Sequence, residues 1–223
     1  MLRIQLLADP AYIVSFSDWI AKIEGVQLVE ENPDAILDLS FLNIEKKLAR
    51  LQEVQVGSAV VITNTLTIAA TTVQSVIGVN AQLAGAPIFP NYVNRQKLIE
   101  FMLPFGSNSD DSGIREVFGA LGKESERVQD AIAGVFPRTL SMIINEAAFA
   151  VQEGIATATD IDTAMKLGTN YPTGPLAWCD EIGASAVVAT LDALAREYGS
   201  DRYRVATLLR RMAESGVKFH SVA

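Results

Sequence analysis

A chain of 223 residues, 49% of them hydrophobic, can bury a sizeable core as one large domain or two small ones and is too apolar to be mainly disordered. Its formal net charge of -8 and pI near 4.7 argue against nucleic-acid binding, because neutralising phosphates needs clustered Lys and Arg, and Arg210 and Arg211 are only a pair. The single cysteine, Cys179, excludes an intramolecular disulfide and fits a reducing, cytoplasmic setting; with one histidine besides, no metal cluster is expected.

The opening MLRIQLLADP carries Arg3, Asp9 and Pro10 where a signal peptide would need a longer apolar run, and no stretch reaches the length of a membrane span. LRIQLLA, VQLVE, DAILDLSF, AVVITNT and AQLAGAPIF then read as short strands. Helical stretches separate them, such as LNIEKKLARLQEV, with Ile44, Leu48 and Leu51 on one face. Alternation of this kind predicts a mostly parallel sheet covered by helices. KLIEFMLP adds another strand, and the polar run from Gly106 to Gly113 a loop leading into a helix near IREVFGALGK. From about Arg138 onward the pattern becomes helical. Leu140, Ile143, Ile144, Ala147 and Val151 recur at helical spacing before Gly154, and Val187, Val188, Leu191, Leu194 and Tyr198 do so before Gly199. Between these helices, Thr159 reads as an N-cap with Asp160 and Asp162 in the first turn, Gly168 as a break, and Asn170, Pro172, Gly174 and Pro175 as a tight turn. A boundary near 130 to 136 divides the chain into a sheet domain, 1–133, and a helical domain, 134–223.

The stretch EGIATATDIDTAMKLGTNYPTGPLAWCDEIG, continued by LDALAREYGSDRYRVATLLRRMAESG, resembles the helical C-terminal domain of the 3-hydroxyacyl-CoA dehydrogenases. The family's D-x-A-M-x-x-G, Y-P-x-G-P, D-x-x-G and L-L-x-x-M elements occur in order. LGKESERVQD is similar to the family's linking segment, and DAILDLSFLNIEKKLARLQEV with AVVITNT to the second half of its nucleotide-binding domain. The resemblance implies a Rossmann-like α/β fold, truncated at its N-terminal side, joined to an all-α domain that in the family forms dimers. The turn chemistry after the second helix is read as structural, redirecting the chain so that the next helix packs across the domain.

The chemistry that the resemblance implies is less complete than the architecture. Dinucleotide binding on this fold uses G-x-G-x-x-G between the first strand and helix, so that backbone amides approach the pyrophosphate. Here that place reads LLADPAYIVSF, where Asp9, Pro10 and Tyr12 put negative charge and bulk, and no G-x-G occurs in the chain. The family's catalytic histidine, in G-x-H-F-F-N-P, corresponds to Pro87 in GAPIFPN, and the glutamate that orients it to Glu100, one residue further along and read as a charged residue at a strand end. The serine following N-T is replaced by Leu66 after Asn64 and Thr65, and the asparagine of V-N-R by Pro137. Asn64 and Thr65 are the remaining candidates for cofactor contact. His220, in the tail GVKFHSVA, has no partner in sequence and reads as solvated or loosely packed, and the family's glycine-rich finish is missing after Gly216.

Three readings follow. The first is a dehydrogenase-like pseudoenzyme of acyl-CoA and fatty-acid metabolism without bound NAD. The second is a diverged but active NAD(P)-dependent dehydrogenase; the third is a non-catalytic module that binds acyl-CoA or supports assembly. A homodimer is expected through the helical domain, because its helices carry more apolar face than a bundle of roughly 80 residues can cover by itself.

Overall fold

A computed structural model describes residues 1–78, 81–107 and 110–221. Of the loop expected between Gly106 and Gly113, residues 108 and 109 lie outside the described ones, as do 222 and 223 of the tail. The chain forms two compact units, Met1–Gly134 and Val135–Ala223.

In the first unit, strands β1 (Leu2–Leu7), β2 (Val26–Leu28), β3 (Ala35–Asp38), β4 (Val60–Asn64), β5 (Leu83–Ala86), β6 (Leu98–Met102) and β7 (Glu124–Val128) form one sheet. Their order is β2-β1-β3-β4-β5-β6-β7, and every pairing is parallel except β5 with β6. Among the described residues only β2 stands outside β1, where a doubly wound dinucleotide-binding sheet has two strands. The segment LGKESERVQD, expected as a linker, instead contributes β7, paired with β6 along Leu98↔Glu124 to Met102↔Val128.

Side-chain alternation distributes the core. Leu37, Ile62, Ala84 and Phe101 point to one face and pack with Phe16, Trp19 and Ile20 of α1 (Ile13–Ile20) and Ile114, Val117 and Phe118 of α4 (Ser112–Ala120). Their neighbours Ile36, Val61 and Leu83 point to the other, against Leu51 of α2 (Ile44–Glu53) and Val73 of α3 (Ala70–Ile77). With both faces covered, β3, β4 and β5 are buried along their whole length, which is why they read as continuous apolar runs. Asp38 and Lys47 break the rule. The fully buried ammonium of Lys47, on α2, pairs with the Asp38 carboxylate at the end of β3 and donates to Ser40 O at 2.8 Å. Asp38 also accepts Thr63 Oγ1 at 2.8 Å from β4. Burial pushes the Lys47 pKa down, and Asp38 foremost, then Asp9, oppose it.

The second unit is helical: α5 (Phe136–Gln152), α6 (Ala158–Thr169), α7 (Pro175–Ile182), α8 (Ala184–Tyr198) and α9 (Thr207–Ser215). Leu140, Ile144 and Ala147 of α5, Leu176 and Ile182 of α7, Val187, Leu191 and Leu194 of α8, and Leu209 and Met212 of α9 form its core. The apolar faces expected in surplus on α5, α8 and α9 are therefore largely covered within the unit. Large apolar side chains stay exposed elsewhere, at Ile155 (71%) and at Leu167 of α6 (83%).

Local details around α6 depart from the sequence reading. The N-cap is Thr157, not Thr159: its hydroxyl accepts Asp160 N at 3.2 Å, which places Thr159 inside the helix. Helix α6 runs through Gly168 to Thr169 and ends at the left-handed Asn170. Asp162 lies beyond the first turn and is buried, its two oxygens accepting Leu176 N and Ala177 N, both at 2.8 Å, at the start of α7. Gly174 is what permits this, since a Cβ there would collide with the Asp162 carboxylate. His220 is not loose: Nδ1 lies 2.8 Å from Asp180 Oδ2 and Nε2 3.2 Å from Asp162 Oδ2. These contacts come from residues 40 and 58 positions away, so no local pattern announces them.

Two stability outcomes are expected. Lys47→Met strands the Asp38 carboxylate in the core and should lower urea-unfolding stability by about 3–5 kcal/mol, whereas adding Asp38→Leu should restore part of the loss, because the uncompensated charge is gone. Gly174→Ala should cost about 1–3 kcal/mol, read as a lower melting temperature, since either Asp162 or the start of α7 has to move.

Candidate functional site

In open α/β sheets ligands bind outside the carboxyl ends of the strands where the strand order reverses, here between β1 and β3. The chain fills that crevice with its own groups. After β1, the Asp9 carboxylate accepts Phe41 N at 2.8 Å and Leu42 N at 3.0 Å, both from the segment following β3. Its carbonyl accepts Tyr12 N and Ile13 N at 2.9 and 3.1 Å, which uses the first amides of α1. The Tyr12 ring stacks on Phe41 with centroids 5.4 Å apart. Arg50 closes the floor, donating to Ala8 O at 3.0 Å and Ser40 Oγ at 3.2 Å. A cleft of about 480 Å3 beside β1 is lined by Gln5, Glu30, Glu31, Arg50 and Glu53, so that three carboxylates face it.

The remaining candidates gather at the carboxyl ends of β4 and β5. Asn64 ends β4 and is buried; its amide donates to Ile88 O at 2.8 Å and Leu39 O at 3.4 Å, while Oδ1 accepts Leu66 N at 3.0 Å and Ile88 N at 3.3 Å. Every bond goes to the chain itself, and Asn64 thereby holds the loop after β4 against the loop after β5. Leu66 is fully buried. The Thr65 hydroxyl is buried without a hydrogen-bond partner, and a Cβ on Gly85 would run into its methyl group. Asp130 joins the same edge by accepting Ala70 N and Thr71 N at 2.9 and 2.8 Å, which caps α3 from 60 and 59 residues away.

Pro87 and Glu100 are brought together. The pairing Gly85↔Met102 is antiparallel, and continued by two residues it sets Pro87 opposite Glu100. Gly134 marks the contact: a Cβ there would lie 2.5 Å from Glu100 Oε2 and 2.9 Å from Pro87 Cγ, and its φ of 52° is one that glycine adopts without strain. Glu100 therefore lies in the middle of β6 rather than at a strand end, because β6 runs on to Met102. A proline ring has no group that can take up a proton, so the proton-accepting capacity of this pair rests on the carboxylate. Pro137 lies in the first turn of α5, which belongs to the helical unit. Sequence reasoning missed Gly134, Asp130 and the Asp38–Lys47 pair. The only local signal was a charge inside an apolar strand, DAILDLSF.

Comparison with known proteins agrees with this architecture. Residues 135–219 match the family model of the 3-hydroxyacyl-CoA dehydrogenase C-terminal domain. Over 111 residues the chain is 45% identical to a 3-hydroxyadipyl-CoA dehydrogenase of Escherichia coli K12, covering 48% of this chain and 23% of that one. Over 186 residues it is 31% identical to a 3-hydroxybutyryl-CoA dehydrogenase of Clostridioides difficile, covering 82% of this chain and 66% of that one. The chain thus spans about two thirds or less of these relatives' own length. The crystal structure of (S)-3-hydroxybutyryl-CoA dehydrogenase from Ralstonia eutropha shares the fold, with a TM-score of 0.74 at 21% identity, over 97% of this chain and 95% of that one. By its helical domain, its reduced Rossmann-like sheet and the extent of its identity with these enzymes, the chain belongs to the 3-hydroxyacyl-CoA dehydrogenase family.

Proposed function

We propose that this chain works in acyl-CoA and fatty-acid metabolism as a dehydrogenase-like protein that does not itself pass a hydride to NAD. The observation that carries the reading is Pro87 opposite Glu100, since oxidation of a 3-hydroxyl group needs a base within reach of the hydroxyl proton. The crevice between β1 and β3 supports it. NAD, the family's cofactor, would supply the hydride acceptor, but its pyrophosphate requires free amides and a glycine turn, and here the Asp9 carboxylate and the Tyr12 ring stand in that place. Asn64 and Thr65 offer no substitute, because Asn64 is consumed by loop contacts and the Thr65 hydroxyl is buried. Binding of an acyl-CoA without turnover, and a cytoplasmic setting in which Cys179 stays reduced, belong to the same reading. Among the described residues no helix is long and apolar enough to cross a membrane.

We also propose that the protein is a homodimer joined through its helical unit. Asp162 is the only buried residue among the 12 of α6, and its exposed Leu167 is an apolar side chain that a twofold partner would cover.

With NAD and 3-hydroxybutyryl-CoA, NADH formation should not exceed a buffer blank; a rate proportional to protein concentration would overturn the first proposal. Pro87→His alone should remain inactive, because base catalysis typically supplies only about 10²–10⁴-fold and the dinucleotide turn would still be absent. In light scattering the protein should have twice its 24.0 kDa chain mass, and Leu167→Asp should shift it toward the monomer; a monomeric wild type would sink the dimer.

A further inference from the structure

Arg138 is held in a way that leaves most of its hydrogen-bonding capacity unspent. It projects from the first turn of α5 and is half-buried. Its guanidinium carbon lies 4.6 Å from the ring centre of Tyr198, the last residue of α8, and 5.4 Å from that of Tyr203, in the 3-10 turn Asp201–Tyr203. The two rings are 5.9 Å apart and tilted by 42°, so that one cation touches both. The left-handed Gly199 turns the chain between them, and Ser200 O accepts Tyr203 N at 3.2 Å. Asn145 of α5 ties the following residues down, donating to Arg204 O and accepting Ala206 N, both at 2.9 Å. The cluster is therefore fixed from both sides of the turn.

Arg3, Arg115 and Arg210 each pair with a carboxylate, from Asp34, Asp111 and Asp192. Arg138 has no such partner among the described residues, although the chain carries 26 acidic side chains against 18 basic ones. Its hydrogen bonds go to phenols instead: Nη1 donates to Tyr198 Oη at 3.4 Å and Nη2 to Tyr203 Oη. Burial pulls its pKa down, and the hydrogen bonds to Tyr203 and Tyr198 more than offset this, so the group stays a cation. A guanidinium has donors and no acceptor, and each phenol, having accepted, still has a proton to give. Neither phenol proton has an acceptor among the described residues, and Tyr203 is only 2% exposed, so water does not readily supply one. Three groups thus converge with donors in excess and no negative charge between them.

We propose that Arg138, with Tyr198 and Tyr203, is a binding site for an oxyanion, a phosphate or carboxylate group whose oxygens take the outward N–H groups of the guanidinium and the Tyr198 hydroxyl. Tyr203 is the buried floor that sets the plane of the guanidinium, and Tyr198, 45% exposed, is the wall that the ligand meets. A planar guanidinium matches two oxygens of one ligand group, which an ammonium at the same place does not. Stacking also removes rotamer freedom that an unrestrained arginine loses on binding, so less entropy opposes capture. The site lies in the helical unit and uses neither the crevice between β1 and β3 nor Glu100. It therefore stands or falls separately from the reading of Pro87.

The intact chain is titrated at fixed pH with sodium phosphate and, separately, with sodium acetate, and followed by heteronuclear NMR. Sodium chloride holds the ionic strength constant, because screening alone moves signals in a chain of net charge -8. The Arg138 Nε–H and the amides of Tyr198 and Tyr203 should shift saturably with at least one of the two anions, and the tighter one identifies the ligand group. Arg138→Lys keeps the charge and lacks the fork; Tyr198→Phe keeps the ring and lacks the hydroxyl. Each should weaken binding roughly tenfold, as expected for losing one charge-assisted hydrogen bond, while the rest of the spectrum overlays on the wild type. Shifts that do not saturate with either anion, or that chloride alone reproduces, overturn the proposal, and this holds even where a variant fails to fold. So does an affinity unchanged in Arg138→Lys or in Tyr198→Phe.

Discussion

The carboxyl edge of the sheet is built around an ammonium that water does not reach. Moving Lys47 from solvent into the core carries a desolvation penalty of several kcal/mol, which only a close counter-charge and further hydrogen bonds can offset. Asp38, the Ser40 carbonyl and Thr63 supply them, and so bind the ends of β3 and β4 to α2. Once that pair is fixed, the segment after β3 turns where Asp9 can accept the amides of Phe41 and Leu42, and Arg50 reaches Ala8 and Ser40 from the next turn of α2. The crevice is filled as a consequence of how one charge pair is solvated.

A second theme runs through both units. Exposed backbone amides at helix starts and loop ends need acceptors, and here aspartates from distant positions provide them: Asp9 for Phe41 and Leu42, Asp130 for α3, Asp162 for α7 and Asp180 for the 219–221 turn. Helix N-termini that could attract a phosphate are instead closed by the chain's own anions at α3 and α7. The same economy explains the turn chemistry between α6 and α7. Gly174 leaves room for Asp162, and Pro175 occupies the first helical position of α7, where a missing N–H does no harm.

The elements and their order were legible in the sequence because they follow from local periodicity. Continuous apolar runs marked β3, β4 and β5, and helical spacing marked α5 and α8, since each pattern reports how many faces of its own element are covered. Strand β7 was not legible: ESERV is polar, pairs along one edge only, and takes its conformation from β6. The end of α6 was misread because Gly168 lowers helix propensity without forbidding helix, and the left-handed Asn170 is what turns the chain.

The sequence by itself determined the fold class, the change from sheet to helices near residue 134 and the family resemblance, because those depend on residue identity and short-range pattern. Tertiary structure alone decided that Glu100 faces Pro87 and Gly134, that Asn64 is consumed by its own loops, that Lys47 is buried against Asp38, and that His220 joins Asp162 to Asp180. Each of those depends on which distant side chain fills the hydrogen-bonding capacity of a buried group. That choice is made by packing between elements far apart in the chain, and no local pattern of residues encodes it.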